Sequence, residues 1–228
     1  SLKNALELRH KLSKTNWKGK IYLGFYRRFN EVLKSVKQIT KSKKLGNLLN
    51  ITHYGPIEIS RNGSHWIDFA NWINSEERSS IIANLDWEQL SSRRGSGIPD
   101  PLCDLELTYS NKIQLYITPY SHPNYPNCSL LLKFDEGEIR LNSQSSENKA
   151  KIVSLKENFE IDIPDSKEKS FIEFLSGIEE SNTELPSINE GLDTLETVIA
   201  AHVSDKYNGK EIRLPLDPLQ QYKSLTVA

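Results

Sequence analysis

The hydrophobic period of this chain changes near Cys103, from helical spacing mixed with short strand-like runs to a steady alternation of two. This change limits the fold more than any other feature. Leu105 and Leu107, then Ile113, Leu115 and Ile117, then Leu130 and Leu132 alternate along the chain, and Asp135-Glu136-Gly137 reads as a hairpin turn into Ile139 and Leu141. A period of two sends successive side chains to opposite faces, so these runs read as the strands of an antiparallel meander. Such a sheet commonly hides one face and exposes the other, leaving one face for a helix layer and one for a partner subunit. Residues 105 to 141 offer more apolar positions than one helix layer needs to cover, so we expect a homodimer or homotetramer through the open sheet face.

The first hundred residues alternate helix and strand. Ser1 is a candidate N-cap, and Leu2, Ala5, Leu6, Leu8 and Leu12 fall near helical spacing, which predicts a helix over 2–14 that ends by Trp17-Lys18-Gly19. Lys20 to Tyr26 alternates as a strand does. Asn30 then caps a helix carrying Val32, Leu33, Val36 and Ile39, with a Lys-rich last turn and a stop at Gly46. Residues 48–54 read as a strand, 63–73 as a short helix and 81–85 as a strand. Towards the C-terminus, Asp165 with Glu168 and Ser187 with Glu190 have capping-box spacing, each ahead of helical apolar residues, and Asn208-Gly209 ends the last helix. Ser143 to Lys149 is polar and reads as a mobile loop. The expected fold is α+β: a mixed, largely antiparallel open-faced sheet with helices on one face.

Length and charge bound the rest. The 228 residues suffice for a sizeable core, and 29 Lys+Arg against 30 Asp+Glu leave a net charge of -1. A nucleic-acid or membrane-surface partner would require clustered excess cations, so neither is expected. No apolar run approaches the roughly 20 residues of a membrane span, and no signal-peptide core precedes the first helix, which points to a soluble, cytoplasmic protein. Cys103 and Cys128 form no Cys-x-x-Cys and have no nearby His cluster, so two reduced thiols and no metal are expected. The chain has no Met and opens at Ser1 inside a helix pattern. Either its start is trimmed or residues, Met among them, are missing.

The densest polar and aromatic run is Ser60-Arg61-Asn62-Gly63-Ser64-His65-Trp66-Ile67-Asp68. His65 and Asp68 are three apart and lie on one side of the helix, while Trp66, Ile67, Ala70 and Ile73 can form its buried stripe. Histidine accepts a proton at neutral pH, and a neighbouring carboxylate can fix its tautomer. The plainer reading stands beside this one: Ser64 caps the helix, and His65 and Asp68 lie on the surface. Tyr26-Arg27-Arg28-Phe29 follows a strand-like run, where a guanidinium can fork onto a phosphate or carboxylate, or simply pair with an acid. Arg93-Arg94-Gly95-Ser96-Gly97 is basic and Gly-rich but lacks the strand-to-helix context of a phosphate loop. His202 sits on an apolar stripe, and His10, His53 and His122 have no convergent partners in sequence.

The order of these pieces resembles a known family. Residues 20–29, KIYLGFYRRF, a helix closing on Lys44-Leu45-Gly46-Asn47, the run Gly63 to Asp68, and Gly191 to Ala201 ahead of Gly209-Lys210-Glu211-Ile212-Arg213-Leu214 resemble the second domain of the Gfo/Idh/MocA oxidoreductases, over residues 1 to about 216. The resemblance implies a fold like the C-terminal domains of dihydrodipicolinate reductase and glyceraldehyde-3-phosphate dehydrogenase. It also implies that 1–228 is one substrate-binding and dimerisation domain, with 1–16 as the helix leaving a Rossmann domain and 217–228 as a tail. NAD or NADP would be bound mainly by that absent N-terminal domain. The sequence agrees, since no Gly-x-Gly-x-x-Gly follows a strand and the family's Glu-Lys-Pro lysine is not present.

The resemblance further implies catalysis at His65, on the hydroxyl or keto group of a sugar, nucleotide sugar or cyclitol. Tyr26, Arg27, Arg28, Tyr54, Arg61, Asn62 and Asp68 are the candidate substrate-binding residues. Arg61 stands four before His65, where relatives usually carry an acid, and a cation there would lower the His65 pKa. That departure supports an alternative, a noncatalytic sugar-sensing regulator or oligomerisation protein on the same scaffold.

Overall fold

A computed structural model describes residues 1–15, 18–90, 99–142, 149–154, 158–162, 167–180 and 184–222. Strands β1 (Leu48–Tyr54), β2 (Arg78–Leu90), β3 (Pro101–Tyr109), β4 (Gln114–Thr118), β5 (Leu130–Phe134), β6 (Gly137–Leu141), β7 (Lys149–Ser154), β8 (Asn158–Asp162) and β9 (Ile212–Arg213) form one sheet in the order β8-β7-β6-β5-β1-β4-β3-β2-β9. Only β1 and β4 run parallel among these pairs, in register Ile51 with Leu115 and His53 with Ile117. Helices α1 (Leu2–Lys14), α2 (Glu31–Ser42), α3 (Ser64–Asn74), α4 (Lys167–Glu179) and α5 (Ile188–Lys206) complete the fold. It is the α+β, mostly antiparallel open sheet that the alternation predicts.

The core lies between the sheet and its helices. Ile51, Ile81, Leu107, Leu115, Ile117 and Leu132 are wholly buried on one face, joined there by Ile67, Phe69 and Ala70 of α3 and Ile199 to Ala201 of α5. The expectation of surplus apolar positions is corrected here. Alternation sends the apolar residues of β3 and β4 to the helix side, and Asp104, Glu106 and Thr108 with Gln114, Tyr116 and Thr118 to the other. Gln114 donates to Glu106 across that open face at 2.5 Å. The open face is largely polar, with Ile82, Leu102 and Leu131 among its apolar residues, and its charge is uneven: Asp86, Asp104 and Glu106 lie at the β2–β3 end, Lys133, Lys151 and an Arg140 paired with Glu138 at the β5–β7 end.

The strand expected over Lys20 to Tyr26 does not form. Tyr22 makes an isolated bridge to Ser187, the Leu23 N–H donates to the Pro186 carbonyl at 2.9 Å, and a 3₁₀ turn takes over at Tyr26–Phe29. The segment is anchored to the residues at the start of α5 by these isolated backbone contacts rather than by a ladder. A Cβ on Gly191 would lie 2.6 Å from Leu23 Cγ, so the glycine makes room for that leucine. Helix α2 stops at Ser42, with Lys43 in the left-handed region, before Gly46 is reached. The caps at Ser1, Asn30 and Ser187 hold as expected. The Asp165 capping position, the polar loop over 143–148 and the Arg93-Arg94-Gly95-Ser96-Gly97 run lie outside the described residues. No helix among the described residues is long and apolar enough to cross a membrane, and Cys103 and Cys128 are buried free thiols.

Candidate active site at the start of helix α3

His65 enters α3 from a π-type turn over Ile59–Gly63. That turn is held from a distance: the Asp100 carboxylate accepts from the Ser60 and Arg61 N–H groups, both at 3.0 Å. Inside the turn the Asn62 amide donates to Glu58 at 2.8 Å, and the Gly63 N–H donates to the Glu58 carbonyl. A Cβ on Gly63 would approach that carbonyl to 3.1 Å, which suits glycine at this close contact. The result is a rigid entry that fixes where His65 points.

Two aromatic edges wall the imidazole, Phe25 at 5.6 Å and Tyr26 at 5.5 Å between ring centroids. Its Nδ1 is buried without a hydrogen-bond partner among the described residues. Burial pushes the His65 pKa down to about 4, and the Arg27 charge adds to the shift. The ring is therefore neutral at physiological pH, the form that can accept a proton.

The predicted site residues divide. Tyr26, Arg27 and Asn62 gather with His65: the Arg27 guanidinium lies 4.6 Å over the Trp66 ring and donates to Asn62 Oδ1 at 3.2 Å. Arg61 is nearby but pairs with Glu58 at 3.6 Å. The cation that depresses His65 is Arg27, not Arg61 as the spacing suggested.

Asp68 and Arg28 form a structural unit instead. Arg28 donates to both Asp68 oxygens, at 2.9 and 2.6 Å, and also to Glu190 of α5, with Arg28 and Asp68 only 3 % and 2 % exposed. Burial pushes the Asp68 carboxyl up to about 6 against the opposing pull of Arg28, which still leaves the pair ionised at neutral pH. The His65–Asp68 dyad is thus corrected: a three-residue step turns Asp68 about 60° round the helix, into the core.

Tyr54 is not brought to the site. It alternates with His53 on β1, so His53 meets Trp66 on the helix side at 4.9 Å while Tyr54 meets His122 on the open face. Sequence reasoning missed Asp100, Glu58 and His53. Asp100 and His53 act across the fold and leave no local pattern, whereas Glu58 could have been found by its i,i+4 spacing to Asn62.

The described residues do not fit a dinucleotide by themselves. The N-termini of α1, α2 and α5 are closed by Ser1, Asn30 and the Ser187–Glu190 capping box, and Asp100 takes the free N–H groups ahead of α3. No backbone cradle for a diphosphate is left at these ends.

No family model and no curated protein matches this sequence. Solved structures do match. An oxidoreductase from Agrobacterium radiobacter, in complex with NAD+, L-tartaric acid and magnesium, superposes with a TM-score of 0.70 at 15% identity over 93% of this chain and 70% of its own. The transcriptional regulator Gal80p from Kluyveromyces lactis gives 0.71 at 12% identity, over 93% and 66%. An aldose-aldose oxidoreductase from Caulobacter crescentus complexed with glycerol gives 0.68 at 14% identity, over 94% and 69%.

Proposed function

We propose that this chain, whose fold is shared with oxidoreductases of the Gfo/Idh/MocA type, is the substrate-binding domain of an NAD(P)-dependent oxidoreductase. Its substrate is a sugar, nucleotide sugar or cyclitol, oxidised or reduced at a hydroxyl or keto carbon. One observation carries the reading: a neutral imidazole, His65, held by a rigid turn between two aromatic edges with a buried nitrogen unpartnered among the described residues. Such a group takes a hydroxyl proton as the alcohol is oxidised and returns it in the reverse direction. Phe25 and Tyr26 offer aromatic surface to the C–H faces of a sugar ring. The nicotinamide nucleotide is held by a further domain, and no hydride step is assigned to residues of this chain. The buried thiols suit a reducing cytoplasm.

A second reading, a sugar-sensing regulator, is favoured by Arg61 standing where relatives have an acid and by the fold shared with Gal80p. Turnover by the full-length protein, assayed on aldoses and cyclitols with NAD+ and NADP+, separates the two. For the enzyme, His65→Asn lowers kcat by roughly 10²- to 10⁴-fold with the melting temperature unchanged. Wild-type turnover in the variant removes His65 from the mechanism, and sugar binding without any turnover favours the regulator.

The proposal includes self-association through the open sheet face. A two-fold axis along the strands would lay the Asp86, Asp104 and Glu106 end of one copy over the Lys133, Arg140 and Lys151 end of the other.

A further inference from the structure

Arg27 and Arg28 are adjacent in sequence and opposite in circumstance. Arg28 is neutralised by Asp68 and Glu190. Arg27 bridges to no carboxylate among the described residues; its partners are the neutral Asn62 amide at 3.2 Å and the Trp66 face. Burial depresses its pKa, with only Tyr26 opposing. The neighbouring acids are engaged elsewhere: Glu58 with Arg61 and Asn62, Asp100 with two backbone N–H groups.

Arg27 is partly buried, and a cation–π contact together with one neutral amide returns only part of what a guanidinium loses on leaving water. Among the described residues no carboxylate offsets its charge. A second, independent observation points the same way. His53, 6 % exposed on β1, lies tilted against the same Trp66 and carries a buried Nδ1 with no partner among the described residues. Arg27 and His53 both lie against the Trp66 indole, and the Arg27 charge adds to the burial that lowers both His53 and His65.

We infer that the substrate of this site carries an oxyanion, a carboxylate or a phosphate, that seats on Arg27 beside His65. This rests on the reading of His65 as the substrate site and narrows it from sugars in general to sugar acids or sugar phosphates. The anion pairs with the guanidinium in a charge-assisted bond, and its hydroxyl-bearing carbon lies towards His65. Neutralising Arg27 also removes one cause of the low His65 pKa, so the bound anion makes His65 a stronger base.

Titration calorimetry of the 228-residue chain with D-glucuronate, D-glucose 6-phosphate and D-glucose tests the inference. At least one anionic probe is expected to bind at millimolar or lower concentration, with the preferred probe identifying carboxylate or phosphate, and glucose is expected to bind at least about tenfold more weakly. Arg27→Gln should cost roughly 10- to 100-fold for the anion and clearly less for glucose. Proton NMR of the His65 ring should show its pKa rising on saturation, a readout independent of the variant's folding. Equal affinity for glucose, no binding of either anion, or a His65 pKa unmoved by the anion overturns the inference. Turnover is not involved, so anion binding can fail while the oxidoreductase reading stands, and can succeed in a protein that never turns over.

Discussion

At the scale of single residues, the site is a set of ionisable groups whose states are set by burial. Burial, reinforced by Arg27, pushes His65 down to about 4 and His53 down to about 3. In the unfolded chain both rings take a proton near pH 6.5, whereas in the folded chain they resist it until far lower pH. Their contribution to stability is therefore whole above about pH 6.5 and is lost as the pH falls from 6.5 towards 4 for His65 and towards 3 for His53; for His65 alone it amounts to at most about 3 kcal/mol. Thermal unfolding across this range should show the melting temperature of the wild type dropping more steeply than that of His53→Phe, which keeps a ring against Trp66 and cannot be protonated. Parallel profiles would contradict the assignment. The place of His65 on the entry to α3 was legible in the run Ser60 to Asp68, whereas its candidate role came from the family resemblance. The partnership of Asp68 was not legible, since its choice of Arg28 over His65 depends on how α3 packs against a turn forty residues earlier in the chain.

Single elements show where local pattern suffices and where it fails. Ser1, Asn30 and Ser187 were readable as caps because a cap is decided within four residues. The meander strands were readable because β3, β4 and β6 alternate buried and more exposed residues, whereas β5 buries Leu130, Leu131 and Leu132 in succession. Lys20 to Tyr26 was misread because alternation marks a chain suited to a sheet, whereas a strand also requires a neighbour, and here the segment leans on α5 instead. Glu190 joins these scales. One carboxylate oxygen accepts from the Ser187 N–H at 2.7 Å to close the capping box, and the other accepts from Arg28. Glu190→Ala should lose the box and half the neutralisation of a buried guanidinium, about 1–3 kcal/mol in urea unfolding. Glu190→Gln, which retains one acceptor oxygen but neither the second acceptor nor the charge, should recover part of it. Equal losses in the two variants would show that Glu190 acts through something other than these bonds.

For the whole molecule, the largely polar and unevenly charged open face sets how copies should meet. A dimer held by opposed charges should weaken as salt screens it, over a Debye length of about 8 Å at physiological ionic strength. Light scattering should report a dimer at low salt that dissociates towards 1 M, and Lys133→Glu combined with Lys151→Glu should give a monomer throughout. A monomer at low salt and high concentration, or a dimer indifferent to salt, would dismiss this interface. The sheet order carries one further consequence, for the time course of folding. Strands β2 to β4 and β5 to β8 are two runs of neighbours, each able to zip up locally, yet they touch only through β1, which pairs with β4 on one side and β5 on the other. The chain makes β1 long before either of those partners exists. Its place at the centre of the sheet requires both, so the two half-sheets become one cooperative structure only once the strand made first has paired on each side.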